Sequence, residues 1–271
     1  MSRFGDATAV TRVAEGRYRI DLDGAFGFAE ALNGGYLMAV LARAAVDAAP
    51  HRHPVATAAS FLRVAKPGPA EVLVEPRKAG RTASAARVSL VQDGQVAVDA
   101  LITTADLDPD GEPDWLGEPP APPLPPIERC THFAAGDRDR GFADQVQMHF
   151  DPATLGWLDG RPSGRPECRA WFRLRDPHEP DAFVLALAVD ALPPVVLNTG
   201  AKGWAPTVEM TWHMRAVPAP GPLALHGGGR LVAGGWFDEE VEVWDSAGRL
   251  VAQGRQLARV GRPSRRAAAT A

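Results

Sequence analysis

Apolar positions along the chain fall into two kinds of run. In residues 34–49, GGYLMAVLARAAVDAA, the side chains of Leu37, Val40, Leu41, Ala44, Ala45 and Ala48 recur at helical spacing. Asn33 is suited to cap the start and Pro50 stops the end, so this run predicts a helix. Arg43 and Asp47 are spaced to pair on its outer face. A second run, residues 181–198, DAFVLALAVDALPPVVLN, is apolar almost without a break apart from Asp190. It predicts a buried helix or, failing that, a buried strand. A buried carboxylate is costly unless it is hydrogen-bonded, paired or put to use. Asp190 therefore either caps a helix end or opens a turn before Pro193 and Pro194, as Asp commonly does, or it is retained for chemistry.

Elsewhere the period is two. Residues 8–23 read as two strands around Glu15-Gly16. Strand-like segments follow at 55–65, 70–77, 82–91 and 95–103, separated by Lys66-Pro67-Gly68 and by the hairpin dipeptide Asp93-Gly94. The second half offers 146–150, 167–175, 207–217, 223–232, 239–244 and 250–260. In 239–244, Val241 and Val243 alternate with Glu240 and Glu242. One helix followed by a meander of strands is an α+β pattern, not a βαβ one.

The halves repeat at an offset of roughly 152 to 154, the mark of a tandem duplication. Phe61-Leu62-Arg63 falls near His213-Met214-Arg215, and Pro67-Gly68 near Pro220-Gly221. At this offset Asp190 falls on Leu37 or Met38, which places it inside a second helix. Two such units could join edge to edge and so protect their exposed strands. Residues 108–126 hold eight prolines, which no helix or central strand tolerates. We expect an N-terminal unit over 1–107, an extended linker over 108–127, a C-terminal unit over 128–261 and a disordered tail over 262–271.

Composition narrows the function by exclusion. The chain is 45% hydrophobic and 23% charged with a net charge of −4, which suggests neither a nucleic-acid nor an anionic-membrane partner. Cys130 and Cys168 form no CxxC pair, so a zinc or redox motif has no support. The histidines form no metal constellation: His51 and His53 are expected at the surface and His213 as structural. Trp204, Trp212 and Trp244 are expected in the core or at an interface. Neither GxGxxG nor GxxxxGK[ST] occurs. MSRFGDATAV has no apolar leader region, and a cytoplasmic location is expected.

The order of several blocks resembles a known family. NGGYLMAVLARA, ASFLRVAKPG and RKAGRTASAARVSLVQDGQ look like the first half of the acyl-CoA thioesterase II (TesB-like) proteins; VDALPP, WAPTVEMTWHMR and GRLVAQGRQLARV look like the second. The resemblance covers roughly residues 10–261 and implies a double hotdog, a central helix wrapped by an antiparallel sheet twice over. It implies hydrolysis of acyl-CoA to CoA and a free acid, without cofactor or metal, in a dimer or higher homo-oligomer. By position it makes Asp190, Thr207 and Gln256 the catalytic group, with Gln256 preferred over Gln253 by alignment. Glu209 departs from the Asp expected there. Rival readings are a hydrolytically silent double hotdog that binds acyl-CoA, and a hydratase, which would want a His on one of the helices; neither helix has one.

That chemistry suits those residues. A thioester leaves as a thiol of pKa about 8.5, so little acid help is needed. A base and a held water suffice, which fits a chain with no G-x-S-x-G elbow. Asp190 would deprotonate the water, Thr207 and Gln256 would aim it, and burial against Leu185, Leu187 and Val189 would raise the acid's pKa. The amides of Gly34 and Gly35, at a helix N-terminus, are candidates for the oxyanion, and Arg63, Arg81 and Lys202 for the CoA phosphates.

Overall fold

A computed structural model of the chain describes residues 2–28, 31–120, 122–132 and 140–261; the tail expected to be disordered, 262–271, lies outside them. Its helices are α1 (Arg3–Thr8), α2 (Gly34–Asp47), α3 (Arg140–Gln145) and α4 (Ala182–Ala188). The strands of the first half are β1 (Thr11–Ala14), β2 (Arg17–Leu22), β3 (Gly27–Phe28), β4 (Ala31–Leu32), β5 (His53–Phe61), β6 (Gly68–Lys78), β7 (Ala83–Gln92) and β8 (Gln95–Ala105). Those of the second are β9 (Thr131–His132), β10 (Val146–Phe150), β11 (Glu167–Leu174), β12 (Thr207–Met214), β13 (Leu223–Gly228), β14 (Val232–Ala233), β15 (Trp236–Trp244) and β16 (Leu250–Arg259).

Among the described residues, fourteen strands make one sheet in the order β1-β2-β6-β7-β8-β5-β12-β16-β15-β13-β11-β10-β9, with β14 on β15. The order is nearly symmetrical about the antiparallel pair β5–β12, where Thr57 faces Trp212 and Ala58 faces Thr211. The repeat that carries Thr57 onto Thr211 and Ala58 onto Trp212 swaps those two pairs, so an approximate two-fold axis passes between them. Joining the halves there pairs one long edge of each. The result is the α+β double hotdog, each half wrapping its sheet around one helix.

α2 is buried from Gly35 to Ala42 and again at Ala44 and Ala45. A helix apolar all round must be enclosed, so the outer face expected for Arg43 does not exist. Arg43 Nε donates to Thr8 Oγ1 at 2.7 Å, and its guanidinium lies 4.0 Å over the Phe183 ring. Asp47 pairs with Arg12 instead. His51 is also a correction: it is buried, 4% exposed, with Nε2 3.2 Å from Arg81 O. His53 is half-buried and accepts from Leu107 N at 3.0 Å. Trp212 and Trp244 lie in the core, whereas Trp204 is exposed. Both cysteines are free.

The second helix is shorter than expected. α4 ends at Ala188 with Val189 as its C-cap, and Asp190 lies in the turn beyond, not within the helix. Asp190 N and Ala191 N bond only three residues back, to Leu187 O and Ala188 O, and Pro193-Pro194 then supplies no N–H with which the helix could resume. A 3₁₀ turn, Val195–Thr199, follows. The route from Ala188 to β12 is thus much longer than that from Asp47 to β5. The offset read from the strands therefore misplaces Asp190. Counted from the helix starts, its counterpart is Ala42, which is fully buried.

The proline-rich stretch is laid against the second half. Pro122 O accepts from Arg169 Nη1, and Pro125 O from Trp171 Nε1, both at 2.8 Å and both on β11. Arg169 also forms a buried ion pair with Asp151 at 2.7 Å. No described helix is long and apolar enough to cross a membrane.

Candidate active site

The start of α2 meets the end of α4, and two glycines set the distance. A Cβ on Gly35 would stand 2.7 Å from Ala186 O and 2.9 Å from Leu187 Cα, so only glycine allows this approach of backbone to backbone. A Cβ on Gly34 would stand 2.9 Å from both Asp190 Oδ2 and Phe61 Cζ. The first turn of α2 is thereby brought onto the Asp190 carboxylate. Gly35 N donates to Asp190 Oδ2 at 2.9 Å, and Asn33 Nδ2 donates to the same oxygen at 3.0 Å. Asn33 Nδ2 also donates to Asp190 O at 3.0 Å, while its Oδ1 accepts from Tyr36 N at 2.9 Å. One side chain thus caps the helix and holds the acid.

Asp190 keeps some contact with solvent, although its carboxylate is enclosed by protein. Burial raises its pKa to about 6, against the lowering influence of the Gly35 and Gly34 amides and of Asn33. The two glycine amides, expected to face an oxyanion, serve the acid itself. The positive end of a helix draws the nearest anion, and here that anion belongs to the protein.

Thr207 opens β12 and Gln256 lies on β16; Thr207 Oγ1 donates to Gln256 Oε1. Gln256 is buried, whereas Gln253 is half-exposed and sits across from His213 and Glu242. Among the described residues, the hydrogen bonds to the Asp190 carboxylate come from Asn33 and the start of α2 rather than from this pair. Glu209 Oε1 accepts from Thr211 Oγ1 at 3.0 Å, on the face of β12 opposite buried Met210. Arg63, Arg81 and Lys202 are exposed, and Arg63 donates to Val96 O at 3.0 Å.

A further acid, Glu239 on β15, was not singled out from the sequence. It is 2% exposed and lies directly across from Gln256. Its Oε2 accepts from Val195 N at 2.9 Å. Burial, with Asp190's charge adding to it, raises its pKa to about 8, while Val195 N and the Gln256 side chain act in the lowering sense. The signal was present: the alternation that turns Val241 and Val243 inward turns Glu239 inward too.

The corresponding end of the other helix is different. Asp181 caps α4 through Phe183 N and Val184 N, and α2 presents Arg43 there. A cation stands where the first site has its acid nearby. Among the described residues, no three His, Cys, Asp or Glu side chains are grouped to hold a metal.

Comparison with known proteins places this geometry in context. Residues 22–105 match the acyl-CoA thioesterase N-terminal domain family, and residues 106–260 match the acyl-CoA thioesterase C-terminal domain family. An uncharacterized protein of Mycobacterium tuberculosis is 34% identical over 251 residues, covering 84% of this chain and 86% of that one. A candidate thioesterase II from Thermobifida fusca has a crystal structure that superposes with a TM-score of 0.91 at 43% identity, over 97% of this chain and 98% of that one. A hot dog protein of unknown function from Alicyclobacillus acidocaldarius shares the fold at a TM-score of 0.80 and 22% identity, over 96% and 98% of the two chains. With both halves matched in order and the fold shared end to end, the chain belongs to the acyl-CoA thioesterase family.

Proposed function

We propose that this site hydrolyses acyl-CoA thioesters, with Asp190 as the base that takes a proton from the attacking water. The observation that carries the reading is the Asp190 carboxylate itself: enclosed, and fixed by Asn33 and Gly35, on a residue that is only half-buried as a whole. A carboxylate whose pKa is about 6 is ionised at neutral pH yet a stronger base than an ordinary Asp. The water oxygen bonds to the thioester carbon while its proton passes to Asp190. The tetrahedral species then collapses, the C–S bond breaks, and the sulfur leaves as a thiolate. Thr207 and Gln256, held to each other, orient the water. As Asp190 gains the proton, its hold on the Gly34 and Gly35 amides weakens, and those donors become available to the oxyanion. Exposed Arg63, Arg81 and Lys202 are the candidate contacts for the CoA phosphates.

Release of free thiol from straight, branched and aromatic acyl-CoA esters tests the reading and identifies the acyl group at once. Steady turnover of at least one class is expected. No turnover of any ester would leave a silent acyl-CoA binder on the same fold.

A further inference from the structure

The hydrolytic scheme leaves Glu239 without a role, yet few positions are less hospitable to an idle acid. It is almost fully buried, and its Oε2 has one close hydrogen-bond donor, Val195 N. An ionised carboxylate so placed would be stabilised by several donors or a cation. The groups that face it come from four directions. Asp190 approaches from the turn after α4 and Val195 N from the following 3₁₀ turn; Gln256 faces it from β16. Cys168 faces it from β11, a thiol that burial keeps protonated. Its strand neighbours Asp238 and Glu240 are engaged with Arg255. Asp190 is therefore the charge that acts on Glu239, and it is of like sign.

Gln256 links the two halves of the arrangement. Its Oε1 accepts from Thr207, which leaves its amide nitrogen as the end available to Glu239. A neutral Glu239 carbonyl can receive that N–H without placing a second negative charge beside Asp190. An ionised Glu239 would oppose both the Asp190 carboxylate and the oxyanion forming on the substrate.

We propose that Glu239 is a positioning residue of this site: it receives the Gln256 amide that aims the water, and it must be protonated to do so without setting a second negative charge against Asp190 and the forming oxyanion. The inference rests on the hydrolase reading for its kinetic consequence, though not for the pairing of the two acids. Environments that separate the titrations of two neighbouring carboxyl groups are a known route to an active ionised–neutral pair.

The test compares pH profiles of kcat/KM for the wild type and Glu239→Gln, read by thiol release. The wild type should lose activity about tenfold per pH unit above the ionisation of Glu239. Glu239→Gln, which mimics the protonated acid, should lose several-fold in kcat at pH 7 and show no alkaline fall up to pH 9, with the acid limb retained. An unchanged alkaline fall in Glu239→Gln would overturn the proposal. A second measurement needs neither turnover nor that variant: carbon-13 NMR titration of Glu239 in wild type and in Asp190→Asn. Removing the like charge should move the Glu239 titration to lower pH; an unmoved titration overturns the proposal. A wild type that hydrolyses no ester while Glu239 still shifts in Asp190→Asn would refute the hydrolase reading and support the pairing.

Discussion

Asp190→Asn lowers kcat for thiol release by about a hundredfold to ten-thousandfold, the usual range for losing a general base. The fold should survive. Asn keeps an oxygen to accept from Gly35 N, and it removes a charge that the folded state holds at a disadvantage. The sign follows from linkage: Asp190's folded pKa, about 6, lies above the 3.8 of an ordinary Asp side chain. Over that window the folded state keeps a proton that the unfolded chain releases, so the group's contribution to stability falls as pH rises. At pH 7 the substitution relieves this cost. Thermal melting at pH 7 beside the kinetic assay should therefore show an unchanged or raised midpoint with lost activity. A melting point that drops along with activity would make Asp190 structural.

Gly35→Ala should damage both stability and activity. In an isolated helix Ala would gain about 1 kcal/mol over Gly. Here the new methyl meets Ala186 O at 2.7 Å and Leu187 Cα at 2.9 Å, and backbone cannot swing aside as a side chain can. Overpacking of this kind costs about 1–3 kcal/mol, so the sign reverses and the urea midpoint falls. Because the same contact delivers Gly35 N to Asp190, kcat should fall about a hundredfold as well, the scale of a 1 Å misplacement. Gly34→Ala is the informative companion. Its methyl meets only side-chain atoms, of Asp190 and Phe61, which can turn away. It should retain more stability than Gly35→Ala while still losing activity. Equal stability for wild type and Gly35→Ala would contradict the close helix contact.

The parts legible in the sequence were those governed by local rules. Period-two runs and turn dipeptides located the principal strands. The repeat of those runs disclosed the duplication, and Asn33 marked the start of α2. What was illegible depended on packing between distant segments. The short α1, whose six residues include buried Phe4, Ala7 and Thr8, lacks the length for a periodic signal. Arg43 reads as a surface residue until α1 and α4 are seen to cover it. Asp190 was legible both as chemically important and as a turn residue before Pro193-Pro194; the strand offset alone drew it into the helix, because that offset does not govern the α4–β12 connection. Asn33 carried a second role invisible to cap rules: its other amide end reaches across the chain to Asp190. Glu239 was overlooked because an acid among alternating acids looks solvated; only its position in the alternation distinguished it.

The catalytic assignment comes down to whether a carboxylate held by Asn33 and Gly35 must be ionised for the enzyme to work. The direct measurement is the acid limb of kcat/KM for a hydrolysed acyl-CoA. The account expects activity to rise tenfold per pH unit and level off through about pH 6, the value set by Asp190's burial. A profile flat between pH 4.5 and 7 on a folded, active enzyme would contradict it.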